Sequence, residues 1–99
     1  MDKRPMQIEL LWAVAKQFDY DPDRGLLTHR KTGQSVKPNN AGFCYCRFRF
    51  GSKSLQMRSS KVAFFKFYGY LPANKVVEHA NGDRSDCRIK NLKLVDKAS

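Results

Sequence analysis

The sequence predicts a small α+β domain with an N-terminal helix, a small antiparallel sheet, and then a second helix followed by a β-hairpin. Three observations predict this class. Apolar residues recur at helical spacing near the start, and residues 43–50 show the period-two pattern of a strand. An aromatic helical stretch precedes a short apolar strand that is followed by the turn signal Asn81-Gly82. The chain has 99 residues, 41% of them hydrophobic, so we expect one domain with a modest core.

The first element is predicted to be an amphipathic helix within residues 1–18, ending near Phe18. Its apolar residues recur three or four positions apart, and they are Ile8, Leu11, Val14, Ala15 and Phe18. This spacing is typical of a helix that packs against a core. Residues 19–24 are rich in turn formers, and they predict a turn before a strand over residues 26–30.

A basic sheet is predicted over residues 25–58, and residues 43–50 are its clearest strand. Alternation places Phe43, Tyr45, Arg47 and Arg49 on one face and Cys44, Cys46, Phe48 and Phe50 on the other. A turn at residues 51–53 then leads into a strand over residues 54–58. The cations of this hairpin form a predicted basic ribbon of Arg47, Arg49, Lys53 and Arg58. Such a ribbon fits the major groove of DNA, and the alternative is an ordinary solvated charged face.

The remainder, residues 59–99, is predicted to form a helix and a hairpin. Ser59 or Ser60 would cap the helix, which would end at Gly69. Its apolar residues predict a buried face made of Val62, Ala63, Phe65 and either Phe64 or Phe67.

Val76 and Val77 predict a short buried strand, and the Asn81-Gly82 pair predicts a hairpin turn with positive φ at both positions. Residues 92–95 would then form the returning strand. Glu78 and His79 would lie near the hairpin tip, followed by Asn91. Together they offer an oxygen ligand for a hard cation, a proton acceptor near neutral pH, and an amide able to hold the imidazole tautomer. These groups suit hydrolysis of a phosphodiester with one divalent ion.

Residues 78–83, Glu-His-Ala-Asn-Gly-Asp, and residues 86–94, Asp-Cys-Arg-Ile-Lys-Asn-Leu-Lys-Leu, resemble the motif of the small HNH endonucleases of phages, including the homing type. The frame around them is similar too. Residues 19–28 precede a basic hairpin in the middle of the chain, and a short helix ends in Tyr-Gly-Tyr-Leu-Pro at residues 68–72. The resemblance therefore covers nearly the whole chain.

This resemblance implies a ββα-metal fold in which His79 is the general base, Glu78 is a metal-binding carboxylate, and Asn91 is the middle Asn of the motif. It implies Mg²⁺ or Mn²⁺ as the cofactor of an active enzyme, and no cofactor otherwise. The sequence also differs from the family pattern. It has Ser60-Lys61 in place of His-Arg and Cys87 in place of Asn. The last motif ligand and its closing helix would fall beyond Ser99, so we expect a motif that is degenerate or truncated there.

The charge balance predicts a polyanionic partner. Nineteen Lys and Arg against nine Asp and Glu give a net charge of +10, with a pI near 9.9. We expect double-stranded DNA, while RNA, a protein partner and a homodimer stay open. The sequence shows no membrane span and no signal peptide, and with three Cys this predicts the cytoplasm, which is the host's if the protein is phage-encoded. Cys44, Cys46 and Cys87 are interpreted as buried thiols, with a zinc cluster as the alternative.

Two functions follow. The first is a metal-dependent DNA nicking endonuclease with His79 as general base and Asn91 orienting it. The second is a catalytically inactive HNH-derived module or inhibitor that acts on DNA or a host nucleoprotein. In both, the ribbon would contact nucleic acid together with the cations Lys61, Arg84 and Arg88.

Overall fold

The computed structural model describes residues 7–72 and 74–96. Its helices are α1 (Gln7–Gln17) and α2 (Ser59–Tyr68), and a 3-10 turn spans Ile89–Asn91. Its strands are β1 (Phe18–Asp21), β2 (Leu26–His29), β3 (Tyr45–Phe50), β4 (Lys53–Arg58), β5 (Lys75–His79) and β6 (Leu92–Asp96). The predicted α+β class is confirmed.

The described strands form three separate antiparallel pairs, β1 with β2, β3 with β4, and β5 with β6. The strands between residues 25 and 58 therefore do not form one sheet, in contrast to the predicted arrangement. A single bridge between Thr28 and Ser35 extends β2 toward the loop that follows it.

β1 is an element that the sequence analysis did not predict. The helix ends at Gln17, and residues 18–21 form a strand paired with β2 from Phe18 opposite His29 to Asp21 opposite Leu26. Phe18 is only 2% exposed, and its pairing with His29 makes it a strand residue although it continues the apolar spacing of the helix. The predicted turn is accordingly shorter, and it closes with a hydrogen bond from the Gly25 N–H to the Asp21 carbonyl at 2.8 Å.

The core lies between the two helices and the inner faces of the strands. Its buried residues include Leu11, Val14, Phe18, Leu27, Cys46, Phe48, Val62, Ala63, Phe64 and Phe65. The alternation predicted for β3 is confirmed, since Cys46 and Phe48 are buried while Arg47 and Arg49 are exposed. In α2 it is Phe64 that faces the core, because Phe67 is 49% exposed.

The start of α2 differs from the predicted cap. Arg58 occupies the N-cap position without a side-chain hydrogen bond, and both serines lie inside the helix and are buried. The Ser59 hydroxyl instead contacts Cys46 Sγ at 3.5 Å. The predicted end is correct, because Gly69 adopts φ 79° and its N–H bonds the Phe65 carbonyl at 2.8 Å.

β5 and β6 pair as predicted, from Lys75 opposite Asp96 to His79 opposite Leu92. Their connection, however, is the long segment of residues 80–91, which we call the return loop. Gly82 has φ 78°, but no described residue other than glycine has positive φ, so the predicted Asn81-Gly82 turn type is wrong. Both valines of β5 were predicted to be buried, but Val76 faces outward and is 36% exposed. Successive strand residues point to opposite faces, so Val77 points inward, where it is partly buried.

In the part of the chain that the structure describes, neither helix has the length and apolar character needed to cross a bilayer.

Candidate active site

Glu78 and His79 lie at the end of β5, and both are among the residues that line a cleft of about 290 Å³. Successive strand residues point to opposite faces, but His79 is the last residue of β5, where the chain turns into the return loop. Both residues of the predicted pair border the same cleft, with Glu78 on the more exposed side of the strand. Its other lining residues are Phe43, Cys44, Arg58, Ser60, Val77, Gly82 and Arg84.

The His79 imidazole is partly buried, and its Nε2 atom is buried without a hydrogen-bond partner among the described residues. Burial lowers the pKa of His79 below its ordinary value of 6.5, and the cations Arg58 and Arg84 act in the same direction. The negative charges of Asp83 and Asp86 oppose this effect without cancelling it. A lowered pKa favours the neutral imidazole, which is the protonation state that a general base needs.

Asn91 is 6% exposed and fixes the return loop. Its Oδ1 accepts the Asn81 backbone N–H at 3.0 Å, while its Nδ2 donates to Asn81 Oδ1 and to the Asp86 carbonyl, both at 3.0 Å. Its own carbonyl accepts the Ala80 N–H at 2.7 Å. Among the described residues this amide does not bond the imidazole, contrary to the predicted role. Asn91 instead holds the chain immediately after His79.

Asp86 and Arg88 form a two-pronged ion pair on the return loop. Arg88 Nε donates to Asp86 Oδ1 at 2.8 Å, and Nη2 donates to Oδ2 at 2.7 Å. This guanidinium, aided by the Arg88 N–H and the Asn81 amide, outweighs burial and holds the pKa of Asp86 at about 2. Arg88 was predicted to contact phosphate, but much of its donor edge is already bound to Asp86.

The turn between β1 and β2 supports the return loop from the outside. The Tyr20 hydroxyl donates to the Cys87 carbonyl, and the Ile89 N–H donates to the Pro22 carbonyl at 3.0 Å. Gly25 packs so closely against the backbone of the return loop that a Cβ at this position would clash with the Arg88 backbone nitrogen. The sequence analysis did not assign these residues to the site, although they fall in the segment that resembles the family frame.

The strand register places three of the four predicted ribbon cations on one face of the β3–β4 hairpin. Arg47 lies opposite Gln56, Arg49 opposite Ser54, and Arg58 opposite Tyr45, so these three cations share the outer face. Lys53 lies opposite Phe50 and therefore belongs to the other face, because the tight turn fixes the register. Lys53 is exposed at the hairpin tip and does not extend the ribbon face.

Arg58 lies at the end of the ribbon that meets the cleft, and it also lines a smaller recess with Ser60 and Lys61. Lys61 is partly buried at the start of α2. The structure therefore places three of the predicted cations at or beside the site, namely Arg58, Arg84 and Lys61, while Arg47 and Arg49 lie farther along β3.

All three cysteines are free and buried, as the sequence analysis interpreted them. Burial raises the pKa of Cys46 to about 11 and that of Cys87 to about 12, so both thiols are protonated at neutral pH. In residues 7–72 and 74–96, no group of three or more His, Cys, Asp or Glu side chains is placed to hold a metal ion. The zinc cluster therefore has no support in this part of the chain.

Comparison with known proteins points to one family. A model of an HNH endonuclease family matches residues 60–99. The fold resembles a solved structure described as DNA binding and cleavage by the HNH homing endonuclease I-HmuI, with a TM-score of 0.64 and 18% sequence identity. The match covers 81% of this chain and 47% of that one, so the chain spans about half the length of that protein. No match was found among curated protein sequences. The predicted resemblance is confirmed: residues 60–99 form an HNH endonuclease-like segment within a fold similar to that of an HNH homing endonuclease.

Proposed function

We propose that this protein binds DNA and nicks one strand as a metal-dependent endonuclease of the HNH type. The observation that carries the proposal is the position of His79, which lines one cleft with Glu78, Arg58 and Arg84 and whose Nε2 makes no hydrogen bond to a described residue. Burial lowers the pKa of this imidazole. A proton acceptor beside cations that can bind a phosphate is the combination that phosphodiester hydrolysis needs.

In the proposed reaction, His79 removes a proton from a water molecule as the water oxygen attacks phosphorus. The bond from phosphorus to the leaving oxygen then breaks, and the leaving oxygen gains a proton from solvent. Arg58 and Arg84, which line the same cleft, would stabilise the charge that develops on the phosphoryl oxygens. Asn91 acts indirectly, by holding the chain next to His79.

Glu78 is the described residue that fits a divalent ion in this cleft. It is exposed, it lines the cleft, and it makes no ion pair with a described residue. One carboxylate is compatible with Mg²⁺, which usually keeps several waters and binds through one or two carboxylates plus substrate phosphates. When bound, the ion would supply Lewis acidity toward the phosphoryl oxygens.

The test is the nicking of supercoiled plasmid in low salt with Mg²⁺ or Mn²⁺. We expect conversion to open circles by the wild-type protein and loss of this conversion in His79→Ala. Asn40→Ala is the control, because Asn40 is exposed, its side chain makes no hydrogen bond to a described residue, and it is not among the residues that line the cleft. Binding of DNA without nicking by the wild type would instead indicate the inactive binding module.

DNA as the partner is tested through the basic ribbon. Arg47 and Arg49 are exposed on its outer face, and neither forms an ion pair with a described residue. Replacing both by Ala should weaken binding to a short duplex and flatten its dependence on salt, because each neutralised phosphate adds about 0.9 to the slope. An unchanged slope would show that this face does not contact the backbone.

A further inference from the structure

The Phe43 ring is close to two of the cations that line the cleft, Arg58 and Arg84. The Arg84 Cζ atom lies 4.4 Å from the centroid of this ring, and the Arg58 Cζ atom lies 5.5 Å from it. These distances fall within the range of cation–π attraction. The three side chains come from different parts of the fold: the approach to β3, the end of β4 and the return loop. The ring is therefore the point where the two guanidinium groups meet.

The backbone of Phe43 is fixed by Asn39. The Phe43 N–H donates to Asn39 Oδ1 at 3.0 Å, and the Asn39 N–H donates to the Phe43 carbonyl at 2.8 Å. The next residue is also held, since the Cys44 carbonyl accepts the Ser59 N–H at 3.0 Å. The half-buried ring thus has a defined place at the cleft.

The two guanidinium groups retain free donors. Several other arginines pair with aspartates, Arg24 with Asp21, Arg30 with Asp19, and Arg88 with Asp86. In the part of the chain that the structure describes, Arg58 and Arg84 have no ion pair and no hydrogen bond through their side chains. An arginine that lies over a ring uses its flat face, so its N–H edge can still donate to two phosphate oxygens.

Two cations held near one ring repel each other, and cation–π attraction to the ring offsets part of that repulsion. A bound phosphate would attract both. We propose that Phe43 is a positioning residue, whose ring holds Arg58 and Arg84 as a clamp for a DNA phosphate beside His79. This inference rests on the proposed function, and it adds a residue that the sequence analysis had assigned only to a strand face.

Phe43 also connects the cleft to a second groove. That groove, of about 520 Å³, is lined by Phe43 together with Tyr45, Lys37 and Arg47. A polynucleotide strand that leaves the cleft can therefore continue along the ribbon without crossing an acidic surface, since neither Asp nor Glu is among the residues that line this groove. The Phe43 ring lies where the cleft and the second groove meet, so the sugar-phosphate backbone of a bound strand would pass beside it.

The experiment compares Phe43→Leu, which removes the aromatic face, with Phe43→Tyr, which keeps it. Affinity for a short DNA duplex is measured by fluorescence anisotropy at several salt concentrations. We expect Phe43→Leu to weaken binding roughly 3- to 30-fold and Phe43→Tyr to restore it. In a background carrying Arg58→Ala and Arg84→Ala, the effect of Phe43→Leu should shrink to within about twofold, because the coupled partners are gone.

Phe50→Leu is the matched control, since Phe50 is a partly buried aromatic residue on the opposite face of β3. Phe50→Leu should change the affinity for DNA by the same factor in the wild-type background and in the background that carries Arg58→Ala and Arg84→Ala. A second readout needs no DNA: the side-chain proton resonances of Arg84 should be shifted upfield by the ring in the wild type, and this shift should disappear in Phe43→Leu. This readout also separates a positioning role from a loss of folding, because the remaining spectrum reports the fold.

The outcomes are distinct. Equal effects of Phe43→Leu in the two backgrounds, with nicking intact in the wild type, would overturn the clamp and leave the proposed function standing. A coupled effect on binding in a protein that does not nick would support the clamp and overturn the endonuclease. A wild-type protein that binds no DNA would overturn both.

Discussion

Replacement of Asn91 by Ala should destabilise the protein and loosen the end of β5. The amide of Asn91 makes hydrogen bonds to the Asn81 N–H, to Asn81 Oδ1 and to the Asp86 carbonyl, each at 3.0 Å. Alanine removes all of them at once. Water would not easily replace them, because Asn91 is only 6% exposed.

The size of the effect follows from these contacts. A hydrogen bond contributes about 0.5–1.5 kcal/mol net, and a buried donor left without a partner costs more. We expect Asn91→Ala to lower the free energy of unfolding by about 2–4 kcal/mol. This is a large share of the roughly 5–15 kcal/mol that stabilises a domain of this kind. Asn91→Asp should also be destabilising, because a carboxylate oxygen would replace the donor that faces Asn81 Oδ1 and the Asp86 carbonyl.

The measurement is urea unfolding followed by circular dichroism, with Asn40→Ala as the control. Asn40 is exposed, and its side chain makes no hydrogen bond in the described residues, so its replacement should change stability by less than about 0.5 kcal/mol. An Asn91→Ala protein as stable as the control would refute the reasoning. At temperatures where Asn91→Ala stays folded, nicking should fall more than DNA binding, because the amide holds the chain next to His79.

Two further predictions concern the return loop. Gly25→Ala should destabilise the protein by about 1–3 kcal/mol or more, because Gly25 has φ 71° and its new Cβ would lie 2.4 Å from the Arg88 nitrogen. Gly33 also has a positive φ, but a Cβ at that position would meet no atom within 4 Å. Gly33→Ala should therefore lose less stability in the same urea titration. Asp86 has a folded pKa of about 2, below its ordinary 3.8, so its contribution to stability is present above pH 4 and is lost as the pH falls toward 2. In Asp86→Asn, acid titration of stability should therefore show a shallower decline over that window.

The sequence predicted those elements whose periodicity is set by one buried face. The alternation of residues 43–50 and the helical spacing of residues 59–68 both have that origin, and both elements are present. Gly69 was identified as the end of α2 because a left-handed C-cap favours glycine. These features depend on residues that are close together in the sequence, so they can be predicted from the amino-acid sequence of one protein.

β1 and the return loop were not predicted correctly because their conformations depend on distant residues. Phe18 continues the helical spacing of α1, yet its pairing with His29 makes it a strand residue. Asn81-Gly82 carries the signal of a tight hairpin, yet the Asn81 side chain is bonded by Asn91 and Asp86. In both places tertiary contacts overrode a local preference.

The same distinction explains why the candidate site was found while its supports were missed. Glu78 and His79 could be identified from their chemistry, since a carboxylate, an imidazole and a following Asn form a recognisable set. Phe43 and Gly25 carry no such chemistry, and they matter only because the fold brings Phe43 against two arginines and Gly25 against the Arg88 backbone.

These supports lie outside residues 60–99, the segment that matches the HNH endonuclease family. The motif contains the groups to which we assign the proposed chemistry, but the return loop that borders the cleft also contacts β1, the β1–β2 turn and Phe43 on the approach to β3. The Tyr20 hydroxyl, bonded to the Cys87 carbonyl, is an example of a contact that joins the two parts. Substitutions in the first half of the chain should therefore alter the site without changing a motif residue. Gly25→Ala and Phe43→Leu test this, because both leave His79 in place and change only the residues that support the cleft.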